Sequence, residues 1–565
     1  MTGTMQCWPL FGVGLDNLGC DRKPCDWPIP QPNGGQLLVR IDAIGLCFSD
    51  IKLIRAGEDH PRVISEDLKS DPVIPGHEAV MTVVEVGEQL RGQFAPGQRY
   101  IIQADIYVNG VGLAYGYAIH GGMAEYSLID ERVLNGDEGC YLLPIQPDTP
   151  AGIAALIEPW TCVLASYMIE HRTAPAAGGR MLVVGENEDH QAYICEGLAS
   201  TECPAVIHAM NVSSRTAEAL AGAFPNAEVQ ALEEIPAESS YDDIVLCGLR
   251  KRERIEELSA RCAANGLVSL VGEGYDGKLA VDVGSVHYKG WFFQGTGGAN
   301  IAEAYGRNVR STLRKGGACW LVGGAGAMGQ MHTQLAVEDA NGPGRVLVTD
   351  LDSHRIEKMN GLLAPAIAQR GIEYQSMNPN DFSSPEGFYR AVREFAPDGF
   401  DDIVMLVPVV PVLNDAAPLL KTDGLMNIFA GIPAGKKALL DAGAIQRDGV
   451  RFVGSSGSRT AHLRKTLELA ESGRINPATA LAAVGGMKAL WEGLDGVANA
   501  RFAGKTVIFP HCPDLPLVDM ERSGEALPGF EKTLSDRGLY TMDSEKALLD
   551  EFGARPCPER GRRSF

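Results

Sequence analysis

The chain has 565 residues, 45% of them apolar, with a formal charge of −22 and a pI near 5.0. That length predicts three or four domains with sizeable cores, and so acidic a surface argues against nucleic acid or an anionic membrane as partner. No apolar run approaches the roughly 18 residues of a spanning helix, and no signal peptide opens the chain. The 13 cysteines are odd in number and include no Cys-x-x-Cys pair, which predicts a reduced, cytoplasmic setting.

Up to about residue 170 the pattern is one of short strands with Gly/Pro turns. "QLLVRIDAIGLCFSDIKLIRAGE" is followed by "PVIPGHEAVMTVVEVGEQLRGQFAPGQRYII" and later by "ALIEPWTCVLASY". Cys47, His77, Glu78 and Glu158 are candidate zinc ligands: a zinc that performs chemistry needs three protein ligands and one open position, and thiolate, imidazole and carboxylate together provide that. The residues leave open whether Glu78 or Glu158 is the third ligand.

The stretch "MLVVGENEDH" at 181–190 begins like the first strand of a dinucleotide fold. Four apolar residues run into Gly185, where the backbone should approach a pyrophosphate through further glycines. Glu186, Glu188 and Asp189 stand there instead. One carboxylate–phosphate pair at about 6 Å costs roughly 2–3 kcal/mol at an effective dielectric near 20, so this loop should not hold a cofactor.

The same pattern returns further on. "DDIVLCG" at 242–248 matches "DDIVMLV" at 401–407, "GLVSLVGEGYDGK" at 266–278 matches "GLMNIFAGIPAGK" at 424–436, and "YKGWFFQGTGG" at 288–298 matches "RDGVRFVGSSG" at 447–457. The first and third blocks are offset by 159 and the second by 158, while the first strands, "GGRMLVVGENE" at 178–188 and "GGACWLVGGAG" at 316–326, are offset by 138. Three blocks in one order at spacings within one residue of each other indicate a duplication. Helical stretches such as 214–223 and 353–363 alternate with the strands, the βαβ rhythm of a parallel sheet.

The second copy keeps what the first has lost. Gly324, Gly326 and Gly329 have the G-x-G-x-x-G spacing, with Ala327 and Met328 inside it, and Asp350 follows 21 residues after Gly329. The glycines permit the tight turn and close backbone approach, and the helix N-terminus carries partial positive charge. Asp350 can accept from the ribose hydroxyls and would repel a 2′-phosphate, which favours NAD over NADP. Arg355, at the start of the next helix, is a further candidate for the cofactor site. In the first copy Met210 stands opposite Asp350.

Residues 35–170 resemble the zinc-dependent medium-chain dehydrogenases, the family of alcohol, sorbitol and threonine dehydrogenases, while the first 34 residues are longer than that family leads one to expect. "GLCFSD" is similar to the family's metal-ligand Cys motif, "GHE" to its His motif, and "IEP" to the third-ligand segment of the polyol branch. "RFAGKTVIFP" at 501–510 resembles the closing strand. The resemblance implies an α/β protein with a GroES-like, mainly-β catalytic domain at 1–170, completed by 475–512. Two tandem Rossmann domains of doubly wound parallel sheet follow, at 171–300 without a cofactor motif and at 301–474 with one. Residues 513–565 form a C-terminal extension, in which "SEKALLDEF" reads as an amphipathic helix and the basic end as mobile. With no cysteine between Cys47 and Cys140, the family's second, structural zinc is not expected.

The resemblance further implies hydride transfer between NAD(H) and a secondary alcohol or ketone of a polyol, sugar, cyclitol or sugar phosphate. Ser49 would relay the alcohol proton, and Asp50 would hold His77 from behind. No basic cluster for a phosphate is evident in the sequence. Family dimers join their nucleotide-binding domains through the last strands, which predicts that the two copies pair within this chain as one continuous sheet, with homo-oligomers through other surfaces open. The "IEP" segment leads directly into the first copy, so the catalytic domain is expected to pack on the second copy instead. A different class of function, an NAD(H)-binding redox sensor or scaffold without turnover, is the alternative.

Overall fold

The structure, a computed structural model, describes residues 3–186, 191–198, 203–305 and 310–553. The chain divides into two compact units. One comprises Met1–Leu164, Gly326–Met331 and Gly457–Phe565, the other Ala165–Ala325 and His332–Ser456.

The first unit is built on an eight-stranded sheet. Its long strand β1 (Leu37–Leu46) is almost wholly buried and runs into helix α1 (Phe48–Ala56). On one side β1 pairs antiparallel with β2 (Glu78–Val86), and on the other with Lys505–Phe509. The closing strand read from "RFAGKTVIFP" therefore lies beside the strand that delivers Cys47. Helix α2 (Ile157–Ala165) carries Glu158 in its first turn. The core gathers Trp8, Tyr115 and Tyr141 around Ile41 and Ile44 of β1, with Met487, Leu490 and Ile508 from the far end of the chain.

The chain ends take part in this unit. Thr4–Cys7 and Cys25–Pro28 pair as a small antiparallel ribbon, and Trp8 Nε1 donates to Met487 O at 2.9 Å. The expectation of reduced cysteines is corrected at one pair, since Cys20 and Cys25 are joined as a disulfide. The residues "SEKALLDEF" lie in the helix Met542–Phe552, whose Glu545 accepts the N–H groups of Ala151 and Gly152, both at 2.8 Å. The extension thus caps the first turn of the short helix Ala151–Ala154. The basic end called mobile lies outside the described residues.

The second unit contains both copies of the duplication. The first copy has strands β3 (Arg180–Gly185), β4 (Val206–Met210), β5 (Glu228–Ala231), β6 (Tyr241–Cys247) and β7 (Cys262–Val271). Helix α3 (Ser214–Ala223) lies between β4 and β5, and β8 (Lys278–Asp282), α4 (Val283–Lys289) and β9 (Phe292–Thr296) follow β7. The second copy has β10 (Ala318–Val322), α5 (Ala327–Glu338), β11 (Arg345–Thr349), α6 (Ser353–Arg370), β12 (Glu373–Met377), α7 (Pro385–Phe395) and β13 (Phe400–Met405). It continues with β14 (Leu420–Ile428), β15 (Lys437–Asp441), α8 (Ala442–Gln446) and β16 (Arg451–Val453).

The parallel sheets run β5-β4-β3-β6-β7-β9 and β12-β11-β10-β13-β14-β16, the same doubly wound order twice. Buried ion pairs repeat with the sequence offset. Asp243 meets Arg172 at 3.0 Å and accepts from Ala176 N at 2.8 Å, while Asp402 meets Arg310 and accepts from Arg314 N at 2.7 Å. The shorter first copy lacks two helices among its described residues: residues 191–198, where α5 would stand, and 232–240, where α7 would stand, are not helical.

The copies do pair within the chain, and their last strands β9 and β16 lie against each other as expected, but no hydrogen-bonded ladder makes the two sheets continuous there. Both sheets end at β9 and β16, and the ladder between copies is the antiparallel pair β8–β15. Its register places Ala280 opposite Leu439, Lys278 opposite Asp441 and Asp282 opposite Lys437. Each residue thus pairs with the counterpart of its own partner, as in a two-fold interface. One core cluster runs through both copies, joining Leu279, Val281 and Phe293 to Ala438, Leu440 and Phe452.

Candidate active site

At the end of β1 the chain turns into α1, and Cys47 is the N-cap residue of that helix. Asp50 fixes the turn: its Oδ2 accepts the Cys47 N–H at 2.9 Å, while its Oδ1 lies 3.0 Å from His77 Nδ1. Asp50 is fully buried, so both bonds form in a low dielectric, where charged hydrogen bonds are strong. With Nδ1 engaged, His77 presents Nε2 as its free ligand atom. Burial opposes a charge on His77, yet the Asp50 carboxylate, together with Tyr117 and hydrogen bonds to Asp50 and Cys47, more than offsets it and holds the imidazole well above the ordinary histidine range.

Glu78 follows on the first position of β2, opposite Gly45 of β1. A Cβ at Gly45 would sit 2.1 Å from Glu78 Oε2, so glycine is what makes room for this carboxylate. Glu78 Oε1 is held at 2.5 Å by Lys505 Nζ, and both side chains are buried. Its other oxygen, Oε2, is buried without a hydrogen-bond partner. Orphaned carboxylate oxygens of this kind are costly unless something occupies them. The ligand atoms of Cys47, His77 and Glu78 all lie within 4.8 Å of one another, the one such group among the described residues. A soft thiolate, an imidazole and an unpaired carboxylate oxygen form a donor set that fits zinc.

Glu158 lies outside that group but close to it. It is buried, and its carboxyl is pushed up to about 7, first by burial and then by the repulsion of Glu78 and Asp105, against the pull of His77 and Lys505. One turn on, Cys162 Sγ lies 3.9 Å from Glu158 Oε1. Ser49 stands half-buried in the first turn of α1, two residues beyond Cys47. Tyr117, nearly buried, has its ring 5.8 Å from that of His77.

In the second copy β10 leads through Gly323–Gly326 into α5. Gly323 adopts a left-handed φ of +83° that a side chain would strain. A Cβ on Gly324 would lie 2.7 Å from Val348, which is the close strand–loop approach predicted for the motif. Asp350, just past β11, accepts from Ala325 N at 3.2 Å and from Asp352 N at 3.2 Å. Arg355 lies one turn along α6, 3.4 Å from Asp352. Residues 326–331, which hold Ala327, Met328 and Gly329, belong to the compact unit of the metal-site residues, and Gln330 Nε2 donates there to Ala503 O at 3.1 Å.

In the first copy Glu186 Oε2 accepts from Arg250 N at 3.1 Å. Glu188 and Asp189 lie outside the described residues.

Several residues of this arrangement carried no signal in the sequence. Lys505 is separated from Glu78 by 427 positions, and only the juxtaposition of β1 with the strand Lys505–Phe509 brings them together. Gly45 and Asp105 were equally silent.

Residues 33–135 match the family of alcohol dehydrogenase GroES-like domains. Over 93% of its length the chain is 24% identical to the uncharacterized protein YggP of Escherichia coli (93% of that protein) and to mannitol-1-phosphate 5-dehydrogenase of Aliivibrio fischeri (94% of it). It is 33% identical to L-sorbose 1-phosphate reductase of Klebsiella pneumoniae over 25% of this chain and 33% of that one. The fold is similar to that of 2R,3R-butanediol dehydrogenase from Bacillus subtilis, with a TM-score of 0.51 at 15% identity, over 90% of this chain and 99% of that chain. These findings bear out the resemblance to the medium-chain dehydrogenases. The chain is a dehydrogenase of the alcohol and polyol class, with a GroES-like domain and doubly wound nucleotide-binding sheets.

Proposed function

We propose that the chain is a zinc- and NAD-dependent dehydrogenase acting on a secondary alcohol or ketone of a polyol, sugar, cyclitol or sugar phosphate. The observation that carries this is the group of half-buried Cys47 with buried His77 and Glu78, together with the unpartnered Glu78 oxygen, in a chain whose full-length relatives include a mannitol-1-phosphate dehydrogenase.

Cys47, His77 and Glu78 would hold the zinc, with Glu158 close enough to replace Glu78 or to bind through water. Bound there, zinc supplies a Lewis acid that acidifies the substrate hydroxyl, and the nicotinamide supplies the hydride acceptor. The chain's own residues do the rest. Asp50 fixes the His77 tautomer. Ser49 Oγ accepts the proton leaving the substrate hydroxyl and passes it towards solvent. Glu158, with a carboxyl near neutrality, is a second group able to take up a proton at working pH. Asp350 accepts from the adenosine ribose, and the N-terminus of α5 receives the pyrophosphate.

The test is elemental analysis of the purified protein, followed by NAD reduction against a panel of polyols, sugars and their phosphates. One zinc per chain with turnover of panel members is expected. Zinc-free protein that is fully active would end the metal reading. Zinc-loaded protein that binds NADH but turns over no member in either direction would favour a sensor.

A further inference from the structure

Beside the metal-ligand group the structure assembles cations that the sequence scatters. Arg62 sits on the loop after α1, and its guanidinium lies 5.7 Å from the centroid of the Tyr117 ring. That same ring is 5.8 Å from His77 and 5.1 Å from His60. Tyr117 therefore spans from a metal-ligand residue to a guanidinium. Arg62 is oriented by one bond, Nη1 to Asp105 Oδ1 at 2.6 Å, and Asp105 is itself fixed by the Ser458 N–H at 3.1 Å. The arginine side chain remains 38% exposed, against 11% for Asp105. Among the described residues no other partner takes Arg62's remaining N–H groups.

Two further cations lie close enough to act on the same groups. Burial depresses His60 and the charges of Arg62 and Lys52 add to it, while at Tyr107 the charges of Arg62 and Arg459 oppose a rise set by burial and Asp105. Arg62, with only one edge bonded and its side chain 38% exposed, is the cation that the geometry places beside the Tyr117 ring.

We propose that Arg62 is a specificity-determining residue that binds the phosphate of a phosphorylated polyol or ketose, whose reacting hydroxyl or carbonyl sits at the Cys47–His77–Glu78 group. This rests on the dehydrogenase reading above and narrows it to phosphate esters. Asp105 orients the guanidinium through one edge, and the free edge meets the phosphate in the two-pronged manner that arginine favours. Tyr117 provides the floor between the two ends of the substrate. An unphosphorylated polyol would leave the free edge to water.

The experiment uses full-length, zinc-loaded enzyme with NAD(H) and compares mannitol 1-phosphate with mannitol and L-sorbose 1-phosphate with L-sorbose. In the wild type kcat/KM should favour the phosphate ester of at least one pair by about 100-fold or more. Arg62→Ala should collapse that ratio by about 100-fold, chiefly through KM, and Arg62→Lys should restore part of it. Circular dichroism of each variant checks the fold. Calorimetric titration of the zinc-loaded protein with mannitol 1-phosphate and with inorganic phosphate should show binding lost in Arg62→Ala, and it reads out even if no substrate is turned over. A wild type that does not discriminate within either pair, or an Arg62→Ala enzyme with an unchanged ratio and unchanged phosphate binding, overturns the proposal while leaving the dehydrogenase reading in place. Absence of turnover together with Arg62-dependent binding would overturn the dehydrogenase reading and keep the phosphate site.

Discussion

Glu78 is the residue on which the site's balance turns. One of its oxygens, Oε1, is held by Lys505, while Oε2 packs against Gly45 without a hydrogen-bond partner, and the carboxylate as a whole belongs to the group with Cys47 and His77. Lys505 is buried, and although burial disfavours its charge, the neighbouring Glu78 outweighs that and raises its pKa. Removing the amine leaves a carboxylate buried with no counter-charge except a bound cation. Lys505→Met should therefore cost about 3–5 kcal/mol in chelated protein, and markedly less with zinc bound. Melting temperatures with and without chelator would show the difference, and an equal loss in both states would refute a metal-facing Glu78. Histidine burial gives a second prediction at this scale. His171 stacks on Phe292 at 3.9 Å, and burial, aided by Arg451, depresses its pKa to about 4. In the unfolded chain it titrates near 6.5. The unfolded state then binds more protons between those values, so this contribution to stability is complete above pH 6.5 and is lost as pH falls towards 4. His171→Phe should make the acid limb of the stability curve shallower by up to about 1.4 kcal/mol per pH unit. Urea unfolding at pH 7 and 5 measures this, and an unchanged slope would mean that the ring is not held neutral.

At the scale of elements, the two copies show which parts of a nucleotide-binding fold the sheet requires and which the cofactor requires. Strand order is kept in both. The glycine turn and the helix that follows it are kept only where Gly323 and Gly324 enter α5. In the first copy the described residues 191–198 form no helix, and Glu186 is bonded to Arg250 of its own copy. One NADH per chain is expected. Asp350→Ala should weaken it severely by losing the ribose acceptor, whereas Glu186→Ala should leave affinity within about two-fold. Fluorescence titration giving two equivalent sites, or a larger loss from Glu186→Ala than from Asp350→Ala, would transfer the site to the first copy. Much of this was legible in the sequence, because local patterns encode it. The 159-residue offset reappears as β8 against β15, and the stretch read as helical at 214–223 is helix α3. The Cys47, His77 and Glu78 motifs were equally local. What stayed hidden depends on distant contacts: Lys505 under Glu78, Arg62 beside Tyr117, and Glu545 on the helix at Ala151. The strand that carries the ladder between copies was misassigned for a related reason. Both the last strand and the one before it are short and largely apolar, and only the register in space distinguishes them.

At the scale of the whole molecule, the β8–β15 ladder makes the second unit behave as a two-fold pair written into one chain. Lys278 faces Asp441 while Asp282 faces Lys437, and Asp282 and Asp441 each cap the helix that follows, accepting from Ser285 N at 3.1 Å and from Ala444 N at 2.9 Å. An exposed strand edge invites association with other chains, and here each copy covers the edge of the other. The effective concentration of a tethered partner is high, so the interface no longer depends on protein concentration. This explains how a copy can lose its cofactor loop and still be retained: its edge and its share of the common core are required by the neighbour. Leu440 tests the point. It is fully buried, stands opposite Leu279, and belongs to the core cluster that includes residues of both copies. Leu440→Ala should cost about 2–5 kcal/mol, and the loss should be shared. Hydrogen exchange should show amides of β6 and β7 in the first copy losing protection in step with those of β13 and β14 in the second. If only the second copy loosened while the first kept its protection, the copies would be independent domains that merely touch, and the first would need some other reason to persist.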